Sequence, residues 1–167
     1  MKCMVLWIGC LLLLTGCAAH TPWETVRDEL PQTEAVWSEP SWGMNYDLPE
    51  GMEVVYEAEG EAVYVNEENH MELSESLFLA DGVECAVKLL SGYESKRLQI
   101  IQTKKNSLSE YRFVWHTQTE EGGMLNRAHL IMDGMYCYAL VCRAPEETVG
   151  HAAAVFSELD FQLEACA

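Results

Sequence analysis

The sequence predicts an α+β domain: an antiparallel β-sheet containing a meander, a C-terminal helix packed on one face, and a short N-terminal helix. Three observations favour this fold class. Short runs rich in β-branched and aromatic residues recur through residues 52–142, turn residues separate these runs, and apolar residues at helical spacing follow Pro145. With 167 residues, of which 49% are hydrophobic and 22% charged, the chain has the length and composition of one globular domain.

The first 16 residues have the layout of a secretory signal. Lys2 supplies the positive start, an apolar stretch runs from Met4 to Leu14, and small residues follow. A membrane-spanning helix needs roughly 20 apolar residues, and this stretch is shorter. We therefore expect residues 1–16 to be a signal peptide that is removed.

The segment Leu14-Thr15-Gly16-Cys17 resembles the lipobox of bacterial lipoproteins. The resemblance implies cleavage before Cys17 and attachment of lipid, including palmitate-type chains, to its thiol. It places the mature protein on the extracytoplasmic face of the cell membrane, because several acyl chains on one residue give stable anchoring. The alternative is an ordinary signal peptide with Cys17 as a free or bridged thiol.

Residues 17–45 are predicted to contain the lipid anchor, a short helix and a connector. Thr21, Pro22 and Glu24 have the spacing of a capping box and predict the start of the helix. Trp23 on this helix either packs on the domain or rests at the membrane interface. The connector lacks periodicity and is rich in Ser, Pro and Trp.

Residues 46–167 are predicted to form a single α+β domain. Two extended runs flank Glu59-Gly60, and residues 77–90 are predicted to form a hairpin that turns at Asp81-Gly82. Residues 97–103 form a further predicted strand.

Three segments, 111–118, 124–132 and 135–143, predict an antiparallel meander with turns at Gly122-Gly123 and Asp133-Gly134. In this register one face is apolar and predicts a core. That face consists of Phe113, Trp115, Leu130, Met132, Cys137, Ala139 and Val141. The opposite face is mixed and consists of Val114, His116, Arg127, His129, Ile131, Tyr136, Tyr138, Leu140 and Cys142.

After Pro145, apolar residues from Val149 to Leu159 recur at helical spacing and predict a helix, with Glu146 and Glu147 in its first turn. Residues 161–163 predict a short final strand. The meander, the single late helix and the terminal "ELDFQL" resemble the C-terminal half of PsbP/Mog1/DcrB-like domains. The resemblance implies an antiparallel sheet flanked by helices and no particular activity.

The charge balance excludes one class of partner. The chain has 27 Asp and Glu residues against 10 Lys and Arg, a net charge of −17. Such a surface repels phosphate backbones, so nucleic-acid binding is not expected. The acidity either keeps a monomer soluble or attracts a cation or a basic partner.

Four cysteines remain if the signal is removed and Cys17 is lipidated: Cys85, Cys137, Cys142 and Cys166. They allow three full disulfide pairings. Cys137 and Cys142 lie five residues apart on one predicted strand, hence on opposite faces and about 16 Å apart, which is too far for a bridge. Cys85 or Cys166 would then partner one of them; alternatively, these residues are buried free thiols.

The mixed face carries the candidate site. In the predicted register His116 and His129 are direct cross-strand neighbours, and Arg127, Tyr136 and Tyr138 share their face. Two imidazoles suit zinc or copper, but the face offers no obvious acidic third ligand, so no cofactor is expected. The sequence contains no nucleophile elbow or recognisable triad.

We therefore expect a membrane-anchored lipoprotein that acts without enzymatic activity as a binding or interaction module, with an envelope protein as its partner. The alternative is a small-ligand or metal-binding lipoprotein that uses the face bearing His116 and His129.

Overall fold

The computed structural model describes residues 40–120 and 122–165. These residues belong to a compact unit that begins at Pro40. The predicted signal, Cys17, the predicted N-terminal helix and Cys166 lie outside the described residues. None of the described helices is long and apolar enough to span a membrane.

The described chain is mostly antiparallel β-sheet with two helices, which confirms the α+β class. Seven strands form the main sheet in the order β2-β3-β4-β8-β7-β6-β5, and β1 pairs with β9 in a separate two-stranded sheet. The strands are β1 (Trp42–Asn45), β2 (Glu53–Ala58), β3 (Glu61–Asn66), β4 (Met71–Leu79), β5 (Ile100–Lys105), β6 (Leu108–Thr119), β7 (Gly122–Asp133), β8 (Tyr136–Pro145) and β9 (Gln162–Ala165). The helices are α1 (Gly82–Ser91) and α2 (Val149–Glu158), and Ser95–Arg97 form a 3-10 turn.

The predicted hairpin at Asp81-Gly82 is wrong, because these residues lead into α1. Gly82 has a φ of +84°, so its backbone does adopt a turn conformation. The chain then continues as a helix because the apolar residues after it recur at helical spacing. These residues are Val83, Ala86, Val87 and Leu90, which all pack into one core cluster. Glu59-Gly60, in contrast, joins β2 and β3 as predicted.

The meander is confirmed as β6, β7 and β8, but both of its turns differ from the prediction. Thr119 pairs with Gly122, so the first turn precedes Gly122-Gly123. Asp133 pairs with Tyr136, so the second turn consists of Gly134 and Met135 and not of Asp133-Gly134. The observed register places Phe113 opposite Ala128, a large side chain against a small one. In both strand pairs the observed pairing partner differs from the predicted one by an even number of residues. Every residue therefore keeps its predicted face.

Both faces of the central strands of the sheet are buried. The predicted core face packs against α1, with Phe113, Leu130 and Cys137 among its buried members. The face predicted to be mixed forms a second core, where Tyr138 and Leu140 pack with α2 and the β1–β9 pair. The described part of the chain therefore has three layers: α1, the main sheet, and α2 with the two-stranded sheet.

The third layer includes residues from the predicted connector. β1 lies within that segment, so the sheet-forming part of the chain begins before Tyr46. The Trp42 indole N–H donates to Asp133 Oδ2 at 2.7 Å, and the Tyr46 hydroxyl donates to Glu75 Oε2 at 2.6 Å. These bonds attach the two-stranded sheet to the main sheet.

The C-terminal helix is confirmed as α2, although its start differs in detail. Glu146 and Glu147 precede the N-cap residue Thr148 and are not in the first turn. The chain forms a turn there, in which the Thr148 N–H donates to the Pro145 carbonyl at 3.1 Å. The predicted final strand is β9, shifted slightly toward the C-terminus.

Candidate functional site

The two candidate histidines lie on one face but are not neighbours. His116 pairs with Leu125 and His129 pairs with Arg112, so the predicted His116–His129 contact is wrong. The four-residue change in pairing between β6 and β7 separates them along the strands. Among the described residues, no three His, Cys, Asp or Glu side chains are grouped to hold a metal ion.

His116 instead forms an exposed contact with the carboxylate of Glu146, with 2.8 Å between His116 Nε2 and Glu146 Oε1. Gly123 makes this contact possible, because a Cβ at that position would lie 2.7 Å from His116 Nε2. The contact lies beside an open acidic depression of about 690 Å³. Glu146 and Glu72 line that depression, and each is already paired, Glu72 with Arg143 at 3.3 Å.

A second cavity, of about 420 Å³, lies between the sheet and α2. We call it the arginine cleft, because Arg112 and Arg127 line it together with His129. Apolar side chains line the cleft on two sides. Ile101 and Val114 belong to the sheet, and Phe156 and Leu159 belong to the side formed by α2 and the residue after it.

The strand register brings the polar groups of the arginine cleft together. Arg112 on β6 lies directly opposite His129 on β7. Arg127 precedes His129 by two residues, so it shares the same face of β7. The three side chains therefore converge on one part of the sheet face.

The arginines of the cleft have no carboxylate partner among the described residues. In the described part of the chain, neither Arg112 nor Arg127 forms an ion pair, although acidic residues far outnumber basic ones. Arg127 Nε is buried and has no hydrogen-bond partner there. Because buried donors in proteins are almost always paired, this unpaired guanidinium nitrogen is an exception.

His129 is buried beside a carboxylate. Its Nε2 lies 3.4 Å from Oε2 of Glu110, which also accepts a hydrogen bond from Thr103 Oγ1 at 3.3 Å. The Phe161 ring packs edge-on against the imidazole, with 5.1 Å between ring centroids. Burial, and then the positive charge of Arg112, lower the pKa of His129 from 6.5 to about 4, although Glu110 opposes this shift. His129 is therefore neutral at neutral pH.

The predicted ligand face is only partly correct. Arg127 and His129 line the cleft, whereas Tyr138 is buried in the second core and Tyr136 packs against that core. Sequence reasoning missed Arg112, although its position two residues before Val114 places it on the same face of β6. It also missed Phe156 as the opposite wall.

The cysteines form no disulfide among the described residues. Cys85 is exposed, Cys137 and Cys142 are buried, and all three are free thiols, so no bridge joins Cys85 to Cys137 or Cys142. The prediction that Cys137 and Cys142 face opposite ways is confirmed, since they belong to different core clusters. Burial raises the pKa of each of these two thiols to about 11, which makes them unreactive.

Comparisons with known proteins give a likeness in fold alone. No family model matches the chain, and no curated protein matches it. A solved structure from Bacteroides thetaiotaomicron VPI-5482 is 13% identical and aligns with a TM-score of 0.50, covering 74% of this chain. The aligned region spans 45% of that protein, so the present chain corresponds to less than half of it. The resemblances to lipoproteins and to PsbP/Mog1/DcrB-like domains stay predictions.

Proposed function

We propose that the protein is a lipid-anchored, extracytoplasmic binding protein that holds a small ligand in the arginine cleft without transforming it. The observation that carries this proposal is a pair of arginines, Arg112 and Arg127, that line a cavity of a strongly acidic chain and have no carboxylate partner within residues 40–120 and 122–165. Converging polar groups in an otherwise apolar cavity are typical of small-molecule sites.

The energetics favour a ligand over a purely structural role for Arg127. A buried donor without an acceptor costs about 1–3 kcal/mol of stability. A chain with 27 acidic residues could satisfy Arg127 with one of its own carboxylates. A ligand whose acceptor reached this nitrogen after a small movement of the Arg127 side chain would recover the cost of the unpaired donor, and the recovered free energy would add to the binding affinity.

The groups in the cleft support binding better than catalysis. His129 faces Glu110, and the hydroxyl of Ser157 donates to the Ala154 carbonyl at 2.7 Å. Nucleophilic catalysis requires a hydroxyl or thiol within hydrogen-bond reach of a base. Ser157, which lines the cleft, already donates its proton to the backbone.

Thermal unfolding of the full chain tests ligand binding. Compounds of different charge are added, and a ligand at about 100 times its Kd should stabilise the protein by about 2.7 kcal/mol. Arg127→Gln and Ala153→Trp, which fills the cleft, should remove this stabilisation. Lys104→Gln removes a positive charge from β5 outside the cleft and should retain it. Equal stabilisation of all variants would contradict the proposed site.

The lipid anchor is tested by growth with labelled palmitate. We expect the wild-type protein to incorporate label and Cys17→Ala to lose it. Cys85→Ala, which removes an exposed cysteine of α1, is the matched control and should retain the label. Label on the Cys17→Ala protein would contradict lipidation at this residue.

A second candidate function is interaction with an envelope protein through β2. This edge strand is exposed along its whole length, and the apolar side chains of Val54, Val55 and Tyr56 are 50–61% exposed. A sheet edge with free backbone groups can accept a strand from another protein. Glu53 and Glu57 lie on the same strand and favour a basic partner.

Site-specific photocrosslinking in cells tests this second function. A photoreactive residue replaces Tyr56, which is 50% exposed, and the control replaces Leu89, an apolar residue of α1 that is 62% exposed. We expect a discrete adduct from position 56 whose partner contributes a basic extended segment. Identical adducts from both positions would contradict an interaction specific to β2.

A further inference from the structure

We propose that the ligand of the arginine cleft is a monocarboxylate amphiphile, an organic acid with one carboxylate head and a short apolar chain. This inference rests on the proposed function and names the chemical class that the site would recognise. It follows from three properties of the cleft: the geometry of its donors, its formal charge, and the position of its apolar side chains.

The donors suit a planar acid group. Guanidinium groups bind carboxylates through two parallel hydrogen bonds, which single-point cations cannot do. Arg112 and Arg127 project from neighbouring strands of one sheet face, and Arg127 Nε has no acceptor within the described chain. A carboxylate between the two side chains would accept hydrogen bonds from both guanidinium groups and leave the backbone of the sheet unchanged.

The formal charge of the site matches a single negative charge. Arg112 and Arg127 contribute two positive charges, Glu110 contributes one negative charge, and His129 is neutral. Lys105 also lies near His129, but it pairs with Asp160 at 3.6 Å and adds no net charge, so the site has an excess of one positive charge. A dianionic head such as a phosphate monoester would exceed this charge and would meet the carboxylate of Glu110, while a cation would be repelled by both arginines.

The apolar lining accommodates a chain attached to the head. Ile101 and Val114 on the floor of the cleft are 58% and 39% exposed, although neighbouring side chains of this sheet face are buried. Phe156 and Leu159 form part of the helical wall. A hydrocarbon chain between floor and wall would remove these apolar surfaces from water. The volume of about 420 Å³ lies near the lower end of the range for small-molecule sites, which favours a short chain.

Calorimetric titration of the full chain tests this assignment. The protein is reconstituted in phosphatidylcholine nanodiscs and titrated with butanoate, hexanoate and octanoate, and heats from empty nanodiscs are subtracted. Each buried methylene contributes about 0.8 kcal/mol, so affinity should rise about fifteenfold for every two carbons until the cleft is full. Octanol, octylamine and octyl phosphate should each bind at least about tenfold more weakly than octanoate.

Variants locate the head of the ligand. Arg112→Gln and Arg127→Gln should each weaken octanoate binding about ten- to hundredfold, because each removes a charge-assisted hydrogen bond. Lys104→Gln is the matched control and should bind as the wild type does. The melting temperature of each variant without ligand is measured as well, so that a loss of binding is not confused with a loss of folding.

The outcomes separate this inference from the proposed function. Equal affinity for butanoate and octanoate, or for octanoate and octyl phosphate, would overturn the assignment of an amphiphilic monocarboxylate. If octanoate does not bind but another compound stabilises the wild type and not Arg127→Gln, the proposed function stands and this inference fails. If no compound binds in a manner that depends on the arginines, both fail.

Discussion

Asn126 is a buried amide within the core face of the sheet. Its Nδ2 donates to the Trp115 carbonyl at 3.3 Å and to Thr117 Oγ1 at 3.1 Å, and its Oδ1 accepts from Arg143 Nε at 3.0 Å. Arg143 in turn pairs with Glu72 on β4. One fully buried side chain thus connects polar groups on four adjacent strands.

We expect Asn126→Ala to lower the free energy of unfolding by about 2–4 kcal/mol, because it leaves a cavity and removes the acceptor of Arg143. Urea unfolding monitored by circular dichroism measures the change. Asn69→Ala on the β3–β4 turn removes a half-buried amide and should cost less than about 1 kcal/mol. A similar loss for both variants would mean that the network of Asn126 contributes little.

His129 makes stability depend on pH. Its pKa is about 4 in the folded protein and 6.5 when exposed, so between these values the unfolded chain binds a proton that the folded chain does not. Stability from this residue is therefore full above pH 6.5 and falls as the pH decreases toward 4. Between about pH 7 and about pH 5, the loss should be roughly 2 kcal/mol.

Urea unfolding without ligand at the two pH values checks this dependence. We expect His129→Gln to remove most of the loss, while His151→Gln, which changes an exposed histidine of α2, should leave it unchanged. An identical pH dependence in wild type and His129→Gln would exclude His129 as its source.

At the scale of elements, alanine substitutions at two glycines near helix starts should have opposite effects on stability. Gly82 begins α1 with a φ of +84°, a conformation that L-residues rarely adopt. Gly150 lies in the first turn of α2 and has open space around its Cβ position. We expect Gly82→Ala to destabilise the protein by about 1 kcal/mol or more and Gly150→Ala to stabilise it by about 0.5–1 kcal/mol. Thermal unfolding of both variants provides the comparison, and equal effects would contradict the assigned role of Gly82.

Element types were predictable from the sequence where periodicity and turn chemistry agreed, and the meander and α2 are examples. They were not predictable where the same dipeptide serves two structures, since Asp81-Gly82 can close a hairpin or begin a helix. The choice depends on whether the following apolar residues repeat at helical spacing. β1 has only four residues, so its pairing with β9 has no local signal in the sequence.

For the candidate site, the sequence was sufficient to predict which residues share a face of the sheet, but not which side chains are in contact. Alternation along β7 predicts that Arg127 and His129 share a face of the sheet. The face on which a residue lies does not change when the register shifts by an even number of residues. The partner of His129 depends on the register itself, which the turn fixes. The wall formed by Phe156 depends on how α2 packs over the sheet, and no pattern within the helix specifies that.

At the scale of the whole molecule, the net charge of −17 opposes compaction. Repulsion between exposed carboxylates is screened within about 10 Å at 0.1 M salt. We therefore expect the melting temperature to rise when sodium chloride is added at low ionic strength. A Glu57→Gln/Glu59→Gln double variant has a smaller charge and should show a smaller rise. A melting temperature that does not depend on salt would mean that the acidic side chains are too well solvated to repel one another.

The β1–β9 pair joins segments that are more than a hundred residues apart in sequence. Such a pairing carries a high loop-closure cost, so we expect it to form after the meander during folding. β9 follows α2 directly, and its pairing fixes the end of the helix that forms the wall of the arginine cleft. If the protein is exported N-terminus first, as proposed, the arginine cleft is therefore completed only after β9 has left the export channel.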